Sequence, residues 1–173
     1  MTERMAAGYP GGFADVLTAF ASGVTLVTVA DGRDDVGTTV SAFCPVSAEP
    51  PLVLVCLMSD SYPAELLRRV DQFAVTLLAE GQRMLAGRFA VAGRPGARLM
   101  LDDVPHRRGE LSGALIADGG LAAIECEASQ RVPAGDHLLV IARVTAVPYA
   151  AAGGQPLLRF RNGYPALSAQ PLR

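Results

Sequence analysis

Residues 121–132 and 137–147 are two β-rich runs joined only by Pro133-Ala134-Gly135-Asp136. A connection made of so few residues, with Pro, Gly and Asp among them, leaves the runs to pair as a hairpin. The same pattern occurs near the start of the chain. Residues 24–30 are β-branched and apolar, Asp31-Gly32-Arg33-Asp34-Asp35 is a turn by composition, and extended structure resumes at Val36. Strands joined mainly by hairpins, with few helices between them, predict a mainly β fold, an antiparallel barrel with flanking helices.

The second arm of the early hairpin carries Gly37-Thr38-Thr39-Val40-Ser41-Ala42-Phe43-Cys44-Pro45-Val46-Ser47, unusually rich in small hydroxyl residues. Such a segment suits a backbone lying against a flat ligand with a polar edge, although Thr and Val also favour strands for their own sake. Pro50-Pro51 then forces a turn before the buried strand 52–57, because consecutive prolines continue neither a helix nor a central sheet.

Helical spacing of Phe13, Val16, Leu17 and Phe20 predicts a short first helix, stopped by Ser22-Gly23. A second helix is expected over residues 64–70, with Tyr62 as N-cap and Pro63 at the first helical position. A strand over 73–78 and a helix over 80–89 follow, the latter with Met84, Leu85 and Phe89 on its apolar face. Residues 92–120, rich in glycine, with Pro95, Pro105 and Arg107-Arg108, read as a long surface excursion. Residues 146–154 read as a linker loop, and residues 156–164 as a short strand and turn.

Composition removes several classes of function. A hydrophobic fraction of 50% over 173 residues fits one core and a single domain, about 13–167 within 1–173. The net charge is −2 and the 15 cationic residues, all arginine, are scattered, so no broad footprint for nucleic acid is present. Residues 1–12 lack a long apolar segment, and no apolar run approaches the ~18 residues of a spanning helix, which predicts a cytoplasmic protein without membrane contact. Cys44, Cys56 and Cys126 match no disulfide or zinc spacing and read as small buried residues. With His106 and His137 the only histidines, no metal site is expected.

In chain order, the segments Gly37-Thr38-Thr39-Val40-Ser41-Ala42-Phe43, Val46-Ser47-x-x-Pro50-Pro51-Leu52-Val53-Leu54-Val55-Cys56, Phe73-Ala74-Val75, Gln82, Arg88-Phe89-Ala90, Gly135-Asp136-His137 and Pro156-Leu157-Leu158 resemble the flavin reductase family of two-component monooxygenase systems. The resemblance runs from about Phe13 to Leu167. It implies an FMN-binding split β-barrel, a homodimer, and reduction of FMN or FAD by NADH or NADPH, with the reduced flavin passing to a separate monooxygenase. A flavoenzyme that keeps its FMN, or a non-catalytic flavin-binding protein, are the alternatives on the same barrel.

On that footing, backbone groups of Thr39, Val40, Ser41 and Ala42 meet the polar edge of the isoalloxazine, with the Thr39 and Ser41 hydroxyls assisting. Cys56, Leu57, Met58 and Phe89 are further flavin-contacting positions. Ser59 and Ser61 precede a helix and suit the phosphate, helix capping being their other use; Asp60 between them is expected to point away. Arg88 is the implied cation, or else a solvated helix arginine. His137 orients the nicotinamide or steadies charge on the reduced flavin, or else makes an ordinary structural hydrogen bond. Hydride transfer needs no protein acid or base in the step, so the loss of His137 is expected to weaken turnover rather than abolish it. Ala142 stands where many relatives carry glycine, and Arg159 where many carry an aromatic that walls the flavin site. No Gly-x-Gly-x-x-Gly fingerprint is present, which implies that NAD(P)H stacks in an open groove.

Overall fold

The computed structural model describes residues 12–32 and 35–167; the N-terminal stretch before Gly12, and Arg33 and Asp34 of the first predicted turn, lie outside the described residues. Strands β2 (Thr25–Val29) and β3 (Val36–Val40) form the early hairpin, and β9 (Ala122–Ala134) and β10 (His137–Ala150) the late one. The late hairpin is longer than the sequence suggests. Its turn narrows to Gly135 and Asp136, with Gly135 at φ 60°, and β10 runs on through most of the expected linker.

These strands join β6 (Gln72–Leu77), β5 (Pro51–Met58) and β4 (Phe43–Ala48) in one antiparallel sheet of order β3-β2-β6-β9-β10-β5-β4. The hydroxyl-rich arm is therefore two strands rather than one. β3 ends at Val40, and Ser41 and Ala42 carry the chain to β4, which pairs with β5 across the Glu49-Pro50 turn. The tolerance of Pro45 follows from β4 being an edge strand with a register shift between Pro45 and Ser47.

That two-residue link dictates the architecture. β3 and β4 lie at opposite ends of the sheet, yet Val40 and Phe43 can be at most about 11 Å apart along the chain. The sheet must curl until its two edges meet. The meeting point is marked by the Cys56 N–H, which donates to the Ala42 carbonyl at 3.0 Å.

Inside the curl sits one core, with Val27, Val29, Val55, Phe73, Val75 and Val140 at its centre, into which helix α2 (Tyr62–Leu67) delivers Ala64, Leu66 and Leu67. A second core covers the outer face of β2 and β6 with Leu26, Leu78, Leu85, Phe89, Leu101 and Leu115. β2 is buried on both faces, which is why residues 24–30 show no polar alternation.

The second core corrects the expected surface excursion. Residues 92–120 hold helix α4 (Ala97–Met100) and strands β7 (His106–Arg108) and β8 (Leu115–Ala117), and Ala97, Leu101, Ile116 and Ala117 are wholly buried. The preceding helical stretch is a 3-10 turn, Glu80–Gln82, followed by α3 (Arg83–Ala90). Leu85 and Phe89 face the core as expected, but Met84 is exposed. Cys44 is exposed and Cys56 half-buried, leaving Cys126 as the one cysteine that fits the buried reading. Helix α1 (Gly12–Thr18) presents Phe13, Val16 and Leu17 outward, followed by Phe20. Strand β1 (Ser22–Gly23) pairs with β11 (Leu158–Arg159), which places Arg159 opposite Ser22.

Candidate functional site

A cleft of about 800 Å³ opens where the two sheet edges meet. One wall is β3 and its link to β4, from Val36 through Ala42. The opposite wall is Cys56, Leu57 and Met58 of β5 with His137 of β10, and the ends are closed by Asp60 to Pro63 and by the loop 92–96. β3 is a terminal strand, paired with β2 on one side and with no described strand on the other. Its outer edge therefore offers backbone donors and acceptors to whatever fills the cleft.

Two features hold that edge in place from behind. Gly37 packs on Phe89, which is wholly buried in the second core. Asp35, at φ 49°, is buried beneath the hairpin turn, where its carboxylate accepts from Arg98 Nε at 2.9 Å and from Arg108 at 2.9 and 3.3 Å. Burial by itself would raise the pKa of Asp35, but the two guanidinium groups hold it below the ordinary carboxylate value. The Asp35 carbonyl also accepts from Ala97 N at 2.9 Å, docking α4 under the cleft. At the rim, the Tyr62 hydroxyl donates to Asp31 at 2.6 Å and ties the hairpin turn to α2.

His137 opens β10 directly across from Met58. Its Nδ1 lies 2.7 Å from Asp136 Oδ1, and the His137 contact holds the Asp136 pKa below the ordinary value. An ionised carboxylate only accepts, so Nδ1 carries the proton. Asp136 in turn is fixed by its carbonyl, which accepts from Ser59 N at 2.9 Å. The Cys56 thiol beside them is pushed up by burial and by the Asp136 charge, which disfavours a nucleophilic thiolate.

Of the residues singled out from the sequence, the cleft gathers Thr39, Val40, Ser41, Ala42, Cys56, Leu57, Met58, Ser61 and His137. It does not gather Ser59, Arg88 or Phe89. Arg88 points away and forms a two-pronged ion pair with Asp103, and Phe89 stands behind Gly37 in the core. Ser61 lines the cleft but acts as the cap of α2, a place expected for Tyr62: its hydroxyl donates to the Met58 carbonyl at 2.6 Å and accepts from Ala64 N at 3.4 Å. With its one proton so engaged, it has none left for a phosphate. Asp60, expected to point away, lines the cleft, whereas Arg159 does not.

Sequence reasoning missed Asp31, Asp35, Tyr62 and above all Arg94. The signal for Arg94 was a cation set among Gly93, Pro95 and Gly96, residue types that fix a tight loop. Arg94 Nε donates to the Gly37 carbonyl at 2.7 Å and its Nη1 to the Val91 carbonyl at 3.0 Å. The side chain is half-buried, and burial lowers its pKa.

Comparison with known proteins agrees with this geometry. Residues 17–168 match the family described as flavin reductase like domain. The chain is 35% identical over 152 residues to the reductase component of 4-hydroxyphenylacetate 3-monooxygenase from Thermus thermophilus, covering 88% of this chain and 93% of that one. It is 38% identical over 125 residues to an NADH-dependent FAD reductase of Streptomyces globisporus, covering 72% and 68%. Among solved structures, the NADH:FAD oxidoreductase of Streptomyces globisporus C-1027 in complex with NAD and FAD fragments superposes with a TM-score of 0.84 at 30% identity, over 91% of this chain and 92% of that one. BorF, the flavin reductase component of a bacterial two-component tryptophan halogenase, superposes with a TM-score of 0.83 at 31% identity, over 91% and 97%.

Proposed function

The chain belongs to the family of flavin reductase like domains, and from that premise we propose that it is an NAD(P)H-dependent flavin reductase that holds FMN or FAD in the cleft between β3 and β5 and passes reduced flavin to a separate monooxygenase. The observation that carries this is the unpaired outer edge of β3, which faces Cys56, Leu57, Met58 and His137 across a cleft of about 800 Å³. A flat ring with hydrogen-bonding groups along one edge and apolar faces fits such a space, and the volume is in the range of small-molecule sites.

A bound flavin supplies the hydride acceptor. The protein's part is binding and orientation. The backbone from Thr39 to Ala42 pairs with the ring's polar edge, and Val40 and Leu57 give it apolar surroundings. His137, which lines the cleft and is held by Asp136 through its Nδ1 proton, orients the nicotinamide. The second substrate would bind in the open part of the cleft, where the protein's contribution is orientation and not proton transfer.

A homodimer belongs to the same reading. Phe13, Val16, Leu17 and Phe20 stand exposed around α1, which leaves an apolar face suited to a second copy. No helix among the described residues is long and apolar enough to cross a membrane, and a cytoplasmic location is part of the proposal.

The deciding experiment is oxidation of NADH, then NADPH, followed by loss of nicotinamide absorbance with FMN, FAD and riboflavin added in turn. Turnover that saturates with free flavin is expected. Flavin held tightly without turnover would point instead to a self-contained flavoenzyme or a binding protein.

A further inference from the structure

Six of the twelve described arginines pair with a carboxylate, and of the rest Arg68, Arg69, Arg83, Arg159 and Arg161 do not line the cleft. Arg88 pairs with Asp103, Arg98 and Arg108 with Asp35, Arg107 with Asp118, Arg131 with Asp71 and Arg143 with Glu127. Arg94 differs. Among the described residues it is the only arginine lining the cleft, it is half-buried, and no carboxylate among them comes within 4.0 Å of its guanidinium.

Its posture is fixed as well. The two hydrogen bonds to the Gly37 and Val91 carbonyls use two of the five guanidinium N–H groups and hold the fork against the base of β3. The cleft's own acids do not serve as its partner: Asp35 is engaged by Arg98 and Arg108, Asp31 by Tyr62, and Asp60, at the α2 end of the cleft, makes no ion pair with it. A partly desolvated cation with unused, pre-oriented donors and no counter-ion among the described residues is the arrangement that a doubly bonding oxyanion completes. Of the residues expected to serve a phosphate, Ser59 does not line the cleft, Ser61 caps α2 and Arg88 binds Asp103.

We infer that Arg94 is the phosphate-binding residue of the cleft, forming a forked, charge-assisted pair with a phosphate ester of the bound nucleotide. This rests on the flavin reductase reading above. The phosphate has two possible sources, the flavin and the nicotinamide nucleotide, which share this chemistry and are separated by titration.

Arg94→Gln and Arg94→Lys are compared with the unaltered protein by fluorescence titration of riboflavin and FMN, and by calorimetric titration of NAD+ and NADP+. If the phosphate is the flavin's, Arg94→Gln weakens FMN by roughly ten- to a hundred-fold, the range for one charge-assisted hydrogen-bonding group, and leaves riboflavin within about twofold. If it is the nicotinamide nucleotide's, NAD+ or NADP+ weakens by a similar factor and the FMN-to-riboflavin ratio stays put. Arg94→Lys restores part of the loss, because it keeps the charge and gives up the fork.

Unchanged affinity for every phosphate-bearing ligand would overturn the assignment, as would equal losses for FMN and riboflavin with NAD+ and NADP+ binding unchanged. If the Gln variant does not fold, the same ratios read on Arg94→Lys decide the matter, and an unchanged set of ratios sinks it. Unaltered protein that binds neither riboflavin nor FMN would refute the flavin reading itself, a result obtained before any variant is made, with the NAD+ and NADP+ titrations still testing Arg94.

Discussion

A Cβ placed on Gly37 would stand 2.5 Å from Cε1 of Phe89 and 3.5 Å from the Cβ of Ala97. Phe89 is wholly buried and cannot swing aside. The glycine therefore lets the cleft's edge strand lie directly on the second core. Gly37→Ala is expected to destabilise the fold by about 1–3 kcal/mol, the usual range for overpacking, and to weaken flavin binding as β3 is pushed outward. Phe89→Leu in the same chain should recover part of the loss. Denaturant unfolding of the two single variants and the double variant measures that coupling, and strict additivity would contradict the contact.

Asp35 should make the fold sensitive to acid. Its folded-state pKa is lowered by Arg108 and Arg98 against the opposing effect of burial, so its contribution is fully present above the unfolded value of about 4 and is lost as pH falls through the folded value. Glu125 adds to the same trend. It is buried, and although burial alone would raise its pKa, hydrogen bonds from the Ser112 hydroxyl at 2.7 Å and from Ser112 and Leu111 backbone N–H groups at 2.6 and 3.0 Å lower it. Asp35→Asn keeps the shape and removes the charge. It is expected to cost about 1.5–3 kcal/mol at neutral pH and to flatten the decline of melting temperature below about pH 4. An unchanged acid profile would remove Asp35 from the account.

His137→Ala should lower kcat/KM for the nicotinamide nucleotide by about tenfold, roughly the value of one orienting hydrogen bond, and leave the flavin dissociation constant nearly unchanged. Asp136→Asn should act in the same direction but less strongly, because it loosens the ring without removing it. Complete loss of turnover in His137→Ala would mean that the imidazole takes part in the reacting step.

The three cysteines provide a chemical map of the site. Cys44 is exposed, Cys56 lines the cleft, and Cys126 is buried with its thiol pushed up to about 12 by burial and the Glu125 charge. With iodoacetamide at about pH 8, near the ordinary thiol pKa, peptide mapping should find Cys44 labelled first and Cys56 more slowly. Cys126 should react only after unfolding. Bound FMN should slow Cys56 and leave Cys44 unaffected; equal rates with and without FMN would place the flavin outside this cleft.

Ser61→Ala removes the cap of α2 and is expected to cost about 1 kcal/mol of stability. Because the Ser61 proton already serves the Met58 carbonyl, the FMN-to-riboflavin ratio should not change. A selective loss of FMN would return Ser61 to the phosphate.

The hairpins were legible because their causes are local. Gly135-Asp136 and the turn after Ala30 are written in residue types that reverse a chain, and the β-branched runs on either side need no distant partner to be recognised. The division of the hydroxyl segment into β3 and β4 was not legible, since nothing within residues 37–47 shows that its halves belong to opposite edges of one sheet. Residues 92–120 misled for a related reason. Their glycines and prolines mark turns, while the burial of Leu101 and Ile116 depends on strands far away in sequence.

By itself the sequence determined the hairpins, the mainly β class, the segment at Thr39 to Ala42 and the place of His137 at the head of a strand, all of which follow from turn chemistry, side-chain periodicity and motif order. Only the tertiary structure decided which charges are spent. Arg88 and Arg94 look alike in the chain, but one meets Asp103 and the other meets two carbonyls at the base of a cleft. The physical reason is that ion pairing and desolvation depend on distances across the fold, and the closing of a seven-stranded sheet sets those distances.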